Sequence, residues 1–235
     1  MLYLRRRSEG RSKYCRATFE RVFLYYITDR KQLSENEDDA HRLLLDRVRL
    51  AAIAGVDAIQ IRERDLSTRE LTELGRRVVE IVSKANTSTK VLINSRSDVA
   101  IACGADGVHL RSDDISAAEA RAIFMHAGIL RPVIGVSCHS RTEVELAEGH
   151  GADFAVLGPV FEKDREIKEE GLSRLQGTCN RRAAKPPMPV LALGGVTLQN
   201  ALECLQAGAA GIAGIRLFQT GNVDQVVTRL RKLEA

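Results

Sequence analysis

The five cysteines (Cys15, Cys103, Cys138, Cys179 and Cys204) include no C-x-x-C pair, and their number is odd. Scattered singly, they supply neither a disulfide framework nor a zinc site, and they fit a reducing, cytoplasmic compartment. No apolar run approaches the roughly 20 residues needed to cross a bilayer, so no membrane partner is expected. The opening stretch, MLYLRRRSEGRSKYCRATFERV, carries arginines without an apolar core or a small-residue cleavage site. It does not read as a secretory signal. Strong charge is also missing: the net charge is +4, and much of the excess comes from Arg5, Arg6, Arg7, Arg11 and Lys13. No groove-reading motif follows those residues, so nucleic acid is not expected as a partner. Residues 1–21 are expected to form a poorly ordered basic tail ahead of one domain over 22–235.

What remains is ordinary for a globular enzyme, with 44% hydrophobic and 28% charged residues. The 235 residues suit one α/β barrel of the usual size, about 250 residues, or two small domains. From residue 23 onward, short apolar runs alternate with longer amphipathic stretches. FLYYIT (23–28) predicts a strand, and the spacing of Leu44, Leu45, Val48, Ala51 and Ala52 predicts a helix over 38–54. AIQIR (58–62) is the next strand, followed by capping residues at 65–68 and a helix to about Ser83. The unit recurs with strands at 91–94, 107–110, 132–137, 153–158, 189–195 and 211–215. The helices between and after them fall near 97–104, 116–127, 141–150, 171–181, 197–207 and 223–234. Four lead-ins are alike: AGVDAIQIR, CGADGVHL, HGADFAVLG and AGAAGIAGI. Each sets a glycine past a helix end, where left-handed backbone is cheap. The strands are apolar on successive residues, as expected when both faces are covered. Eight near-equal units, no hairpin signal and no G-x-G-x-x-G after the first strand predict a closed α/β barrel, the (β/α)8 TIM barrel, over an open sheet.

The site of such a barrel lies at the C-terminal strand ends and the loops after them. Those positions hold Gln60, Arg62 and Arg64; Asn94 and Arg96; His109, Asp113 and Asp114; Ser137 and His139; Lys163, Arg165 and Lys168; Gly194 and Gly195; and Arg216. Any one of them could be a rim ion pair, but so many on one rim point to a charged small-molecule ligand. Gly194-Gly195 and the run from Gly214 and Ile215 through Arg216 follow the seventh and eighth strands, where barrels commonly hold phosphate. Gln60, Arg62 and Arg64 share one face of a strand end and suit an anion such as diphosphate. Glu63 and Asp65 could instead pair with them. Asp113 and Asp114 are compatible both with Mg²⁺ binding and with capping of the following helix.

QIRER, INSRSDVA, GADGVHLRSDD, GVSCHS, GADFAVLGPVF and ALGGVT, in that order over residues 23–234, resemble the thiamine phosphate synthase family and its sibling, the thiazole tautomerase. The resemblance implies a (β/α)8 barrel. It implies a transferase that joins hydroxymethylpyrimidine diphosphate to hydroxyethylthiazole phosphate with Mg²⁺, releasing diphosphate. It assigns Gln60, Arg62, Arg64, Asn94 and Ser137 to the diphosphate side, Asp114 to the metal, and Gly195 with the 214–216 backbone to the thiazole phosphate. Four departures stand out, one of them Arg216 where a serine is common. Ser95 replaces a second acidic metal ligand. Arg64 replaces a lysine. Lys163, Arg165 and Glu166 occupy a loop that otherwise carries two threonines and a lysine. The tautomerase reading would make His139 an acid–base group and needs no metal. A non-catalytic barrel that binds thiazole phosphate or thiamine phosphate is the third reading, and a homo-oligomer is compatible with all three. His109 is expected to point into the barrel.

Overall fold

A computed structural model of the chain describes residues 21–161, 168–180 and 187–233. The basic stretch singled out above, together with Lys163 and Arg165, falls outside these residues. The strands are β1 (Phe23–Ile27), β2 (Ala58–Ile61), β3 (Lys90–Asn94), β4 (Gly107–Leu110), β5 (Val133–Cys138), β6 (Phe154–Leu157), β7 (Val190–Ala192) and β8 (Gly211–Gly214). They pair in chain order, all parallel, and β8 returns to β1 to close the barrel. The helices are α1 (Glu37–Ala54), α2 (Thr68–Lys84), α3 (Ser97–Cys103), α4 (Ala117–His126), α5 (Arg141–Gly149), α6 (Lys168–Cys179), α7 (Ala201–Gln206), α8 (Arg216–Gln219) and α9 (Val223–Arg231). A single (β/α)8 barrel results, as the alternating pattern predicts.

Alternation along each strand sorts two cores. Phe23, Tyr25, Ile27, Leu92, Phe154, Val156 and Leu191 fill the barrel interior. Leu24, Tyr26, Ile59, Ile61, Val91 and Ile93 pack outward against helix residues such as Leu44, Val48, Leu74 and Val78. The recurring glycine lead-ins adopt the left-handed turns foreseen for them, as at Gly55 (φ 88°) and Gly208 (φ 97°). The aspartates of three lead-ins have a further task. Asp57, Asp106 and Asp153 accept from the backbone N–H of Leu24 (2.7 Å), Val91 (2.9 Å) and Ile134 (2.8 Å) in the preceding strand. Each also meets a cation: Arg231 at 2.8 Å, Lys90 at 2.6 Å and Arg121 at 3.0 Å. The fourth lead-in has Ala210 in that place and ties to Val190 through backbone alone.

The structure departs from the pattern reading in several places. The seventh strand is shorter than expected, because Gly194 (φ 95°) and Gly195 (φ 61°) leave extended geometry. A short 3-10 turn occupies Arg30–Gln32, and the extra helix α8 lies between β8 and α9. α7 begins at Ala201, four residues later than the expected start.

Candidate active site

The C-terminal rim is organised around Arg30, a residue that reads in the sequence as part of a polar turn. Its side chain is only 2% exposed. It bonds Asp65 with paired contacts of 2.8 and 2.7 Å, Glu63 at 3.1 Å and Glu37 at 2.7 Å. Asp65 first, then Glu37 and Glu63, hold the guanidinium charged against the opposing effect of burial. Arg30 likewise keeps the Asp65 carboxyl well below its usual range. The ion-pair ladder considered for Arg62 and Arg64 therefore exists, but Arg30 is its cation. Arg62 and Arg64 form no ion pair among the described residues. Burial, then the neighbouring Arg64 charge, depresses the Arg62 guanidinium below its usual value. Two like charges, one of them half-buried, gain from an anion between them.

Thr28 couples the two sets. Its hydroxyl donates to Glu63 at 2.6 Å and accepts from the Arg62 backbone N–H at 3.0 Å. Deeper in, Gln60 is buried and donates through Nε2 to Asn94 Oδ1 at 2.8 Å, while its Oε1 is buried with no partner. An unmet buried acceptor wants a donor, and a ligand entering from the rim can bring one. Asn94 in turn donates to Ser95 Oγ at 3.0 Å, and Ser95 sits at φ 60°. Arg96 is turned away from the mouth and pairs with Asp98 and Thr68.

Of the two acids after β4, neither caps a helix. Ser116 caps α4 in a reciprocal box with Glu119, which corrects the capping reading of Asp113 and Asp114. Asp114 Oδ2 accepts from the Arg111 backbone N–H at 2.7 Å, and Oδ1 lies 3.5 Å from Arg111 Nε. Asp113 pairs with the same arginine and is largely exposed. Among the described residues no three His, Cys, Asp or Glu side chains converge on a metal position. A single carboxylate whose Oδ1 is held only loosely, at 3.5 Å from Arg111, fits a cation shared with ligand phosphates, as Mg²⁺ commonly is. It does not fit a cage built from protein alone.

The remaining rim residues fall into two places. His109 is buried inside the barrel, as expected, and lies between the Tyr25 hydroxyl (3.1 Å to Nδ1) and Ser137 Oγ (2.9 Å to Nε2). Burial pushes its imidazole down to about 3, although the Asp114 carboxylate acts the other way. His139 stands at the mouth, its Nδ1–H donating to the Gly158 carbonyl at 2.7 Å, beside a cavity of about 240 Å³ lined by Ser137, Pro159 and Gly194. A larger cleft of about 710 Å³ opens over Gly194, Gly195, Gly214, Ile215 and Arg216. A Cβ added to Gly195 would come within 2.5 Å of the Phe161 carbonyl oxygen. Its left-handed backbone and close packing make glycine necessary there. α8 supplies the short extra helix that commonly completes a phosphate site after the last two barrel strands.

A family model described as thiamine monophosphate synthase matches residues 24–218. The chain belongs to this family. A thiamine-phosphate synthase from Methanoculleus marisnigri is 39% identical over 79% of this chain and 85% of its own length. Another, from Agrobacterium fabrum, is 34% identical over 77% of this chain and 82% of its own. Among solved structures, a thiamine phosphate pyrophosphorylase from Pyrococcus furiosus superposes with a TM-score of 0.72 at 31% identity, covering 90% of this chain and 95% of that one. The family membership agrees with the ordered motifs read from the sequence. The structure adds what those motifs could not convey. Arg30 and Thr28 preorganise the arginines, and Tyr25 stands beneath the rim against His109; their partners lie far away in sequence. No described helix is long and apolar enough to cross a membrane.

Proposed function

We propose that the chain is a thiamine phosphate synthase, which couples hydroxymethylpyrimidine diphosphate to hydroxyethylthiazole phosphate and releases diphosphate. The observation that carries this reading is that Arg62 and Arg64 have no ion-pair partner among the described residues, their neighbouring carboxylates being taken by Arg30. Two unpaired guanidiniums at one part of the rim, and a glycine-lined cleft at another, suit two separately phosphorylated substrates.

The bond from the pyrimidine methylene to the diphosphate oxygen breaks first, and the electron pair leaves with diphosphate. Arg62, Arg64 and Ser137 aim donors at the charge that develops on the leaving group. Gln60 Oε1, held by Asn94, accepts an N–H of the pyrimidine. The thiazole nitrogen then donates its lone pair to the methylene carbon, with its phosphate over Gly194, Gly195 and the Gly214–Arg216 backbone. No proton needs to move for this exchange to balance. The buried floor of Tyr25, Phe154 and Val156 keeps water from capturing the cationic carbon. Asp114 would hold Mg²⁺ together with diphosphate oxygens, and the ion would add neutralising charge to the leaving group. Lys163 and Arg165, which follow β6 in the sequence, are assigned to the substrates on that position alone.

A second reading rests on His139. With Nδ1 donating to the Gly158 carbonyl, Nε2 keeps its lone pair and can exchange a proton on a bound thiazole, as a tautomerase requires. The deciding experiment measures thiamine phosphate formation from both substrates with and without Mg²⁺. Metal-dependent product supports the synthase. A folded protein that binds thiazole phosphate, makes no thiamine phosphate and isomerises the thiazole without metal overturns it in favour of the tautomerase.

A further inference from the structure

We infer that Tyr25 and His109 form a buried relay that commits the Ser137 hydroxyl to donating its proton to an anion at the rim. The inference rests on the proposed placement of diphosphate beside Ser137, and it assigns a task to Tyr25, which the reaction itself does not touch.

The polarity follows from counting protons. Tyr25 is fully buried, and the Nδ1 of His109 is the one hydrogen-bond partner of its hydroxyl among the described residues. A buried phenol that pointed its proton anywhere else would leave it without an acceptor. Burial also raises the Tyr25 hydroxyl well above its ordinary value, so that proton stays on oxygen. Nδ1 must therefore be the acceptor, with its lone pair towards Tyr25. A neutral imidazole has one N–H, and with Nδ1 bare it sits on Nε2. Nε2–H then donates to Ser137 Oγ across 2.9 Å. One lone pair of the serine is thereby occupied from below. Its own proton points away from the imidazole, towards the half-exposed mouth.

The surroundings leave the imidazole little freedom to turn. The Phe154 ring meets Tyr25 edge-on with centroids 5.2 Å apart, and it lies 6.0 Å from His109. Beneath, Gly135 presents bare backbone: a Cβ there would fall 2.7 Å from His109 Nδ1 and 2.4 Å from Phe154. Four strands, β1, β4, β5 and β6, thus shape one slot around the ring. The slot holds a dipole rather than a charge, so the relay supplies direction. A ligand offering acceptor oxygens is favoured beside Ser137, and one offering a donor is not.

Two measurements on the full-length protein test this. The first is ¹⁵N NMR of the histidine side chains, with His109 assigned by comparison with His109→Gln. A single tautomer protonated at Nε2 is expected. In Tyr25→Phe, which keeps the ring and removes the proton donor, a mixture of tautomers should replace it. The second is a cycle of Tyr25→Phe with Ser137→Ala, read as kcat for thiamine phosphate formation and as Kd for inorganic diphosphate. Tyr25→Phe alone should weaken diphosphate binding about fivefold to tenfold, the scale of one ordinary hydrogen bond. In the Ser137→Ala background the same substitution should have almost no effect, while affinity for thiazole phosphate stays unchanged throughout. A His109 protonated at Nδ1 overturns the relay. So do effects of Tyr25→Phe that persist without the serine hydroxyl, since a structural role would give that result. If thiamine phosphate is not formed at all, the synthase reading fails, and the tautomer and diphosphate measurements still decide the relay.

Discussion

Replacing Arg30 by methionine removes the cation at the centre of the rim while keeping much of the side-chain volume. The consequence can be worked from exposure. Glu37 and Asp65 are 58% and 39% exposed, so water can take over their solvation. Glu63 is 2% exposed and would retain the Thr28 hydroxyl and the backbone N–H of residue 30, with its charge unmatched. Removing one member of a buried ion pair costs about 3–5 kcal/mol. For a chain of this size that corresponds to a Tm lowered by about 6–20 °C. Glu63→Gln, which leaves Arg30 two other carboxylates, should cost less, about 1–3 kcal/mol. The double variant should be more stable than the sum of the two losses predicts, because it no longer buries an uncompensated charge. Urea denaturation at neutral pH, with all four proteins giving the same m-value, reads the cycle directly. A loss below about 1 kcal/mol for Arg30→Met, or strict additivity in the double variant, refutes the view that this network organises the rim.

Arg62→Ala should lower kcat about a hundred- to a thousandfold by removing a donor aimed at the leaving group. Initial rates test it, and unchanged turnover rules out the diphosphate assignment. Ser95→Asp should be accepted at φ 60°, where aspartate is among the tolerated residues, and should reduce the Mg²⁺ concentration for half-maximal rate severalfold. A metal titration with no change would mean that position 95 does not face the ion. His109 predicts a pH effect with a definite sign. Its folded value near 3 lies below the ordinary 6.5, so the unfolded chain takes up the proton first as pH falls. Its contribution to stability is complete above about pH 6.5 and is lost towards pH 3, at a limiting rate of about 1.4 kcal/mol per pH unit. Denaturation at pH 7 and pH 5 should show a shallower loss in His109→Gln; an identical slope contradicts the assignment.

The barrel was readable because two independent signals agree. Strand residues are apolar in succession, and Gly55, Gly104, Gly151 and Gly208 mark the helix ends with the left-handed geometry that only a few residues accept. The rim was readable in part: Gln60 lies in β2, but that strand ends at Ile61 and Arg64 sits in a turn, so strand alternation does not by itself set the two arginines on one face. Periodicity reports which side of an element a residue occupies, however, and carries nothing about which acid a given base will choose. Arg30 looks like a turn residue, and its partners Glu63 and Asp65 arrive from 33 and 35 positions away. Tyr25 looks like an ordinary strand former, and its hydroxyl is explained only by a histidine 84 positions later. Asp113 and Asp114 suit metal binding and capping about equally in the sequence. The actual cap is Ser116, and its signal is local: Ser116 and Glu119 stand at the S-x-x-E spacing of a capping box.

The three aspartates that grip the preceding strands all lie at the amino-terminal ends of β2, β4 and β6, on the floor of the barrel opposite the reactive mouth. Architecture and chemistry are therefore written on opposite faces of the same strands. Damage to the floor should appear as a protein that melts early yet turns over normally while folded. Damage to the unpaired residues of the mouth, such as Arg62, should leave the melt intact and silence the reaction, whereas the buried Arg30 network bears on both. The exception is the fourth quarter, where Ala210 stands without a carboxylate and backbone hydrogen bonds alone tie the entry to β8 to β7. That seam runs up to the glycine-lined cleft assigned to the thiazole phosphate, which makes it the place where loosening the floor should be most readily felt by a ligand.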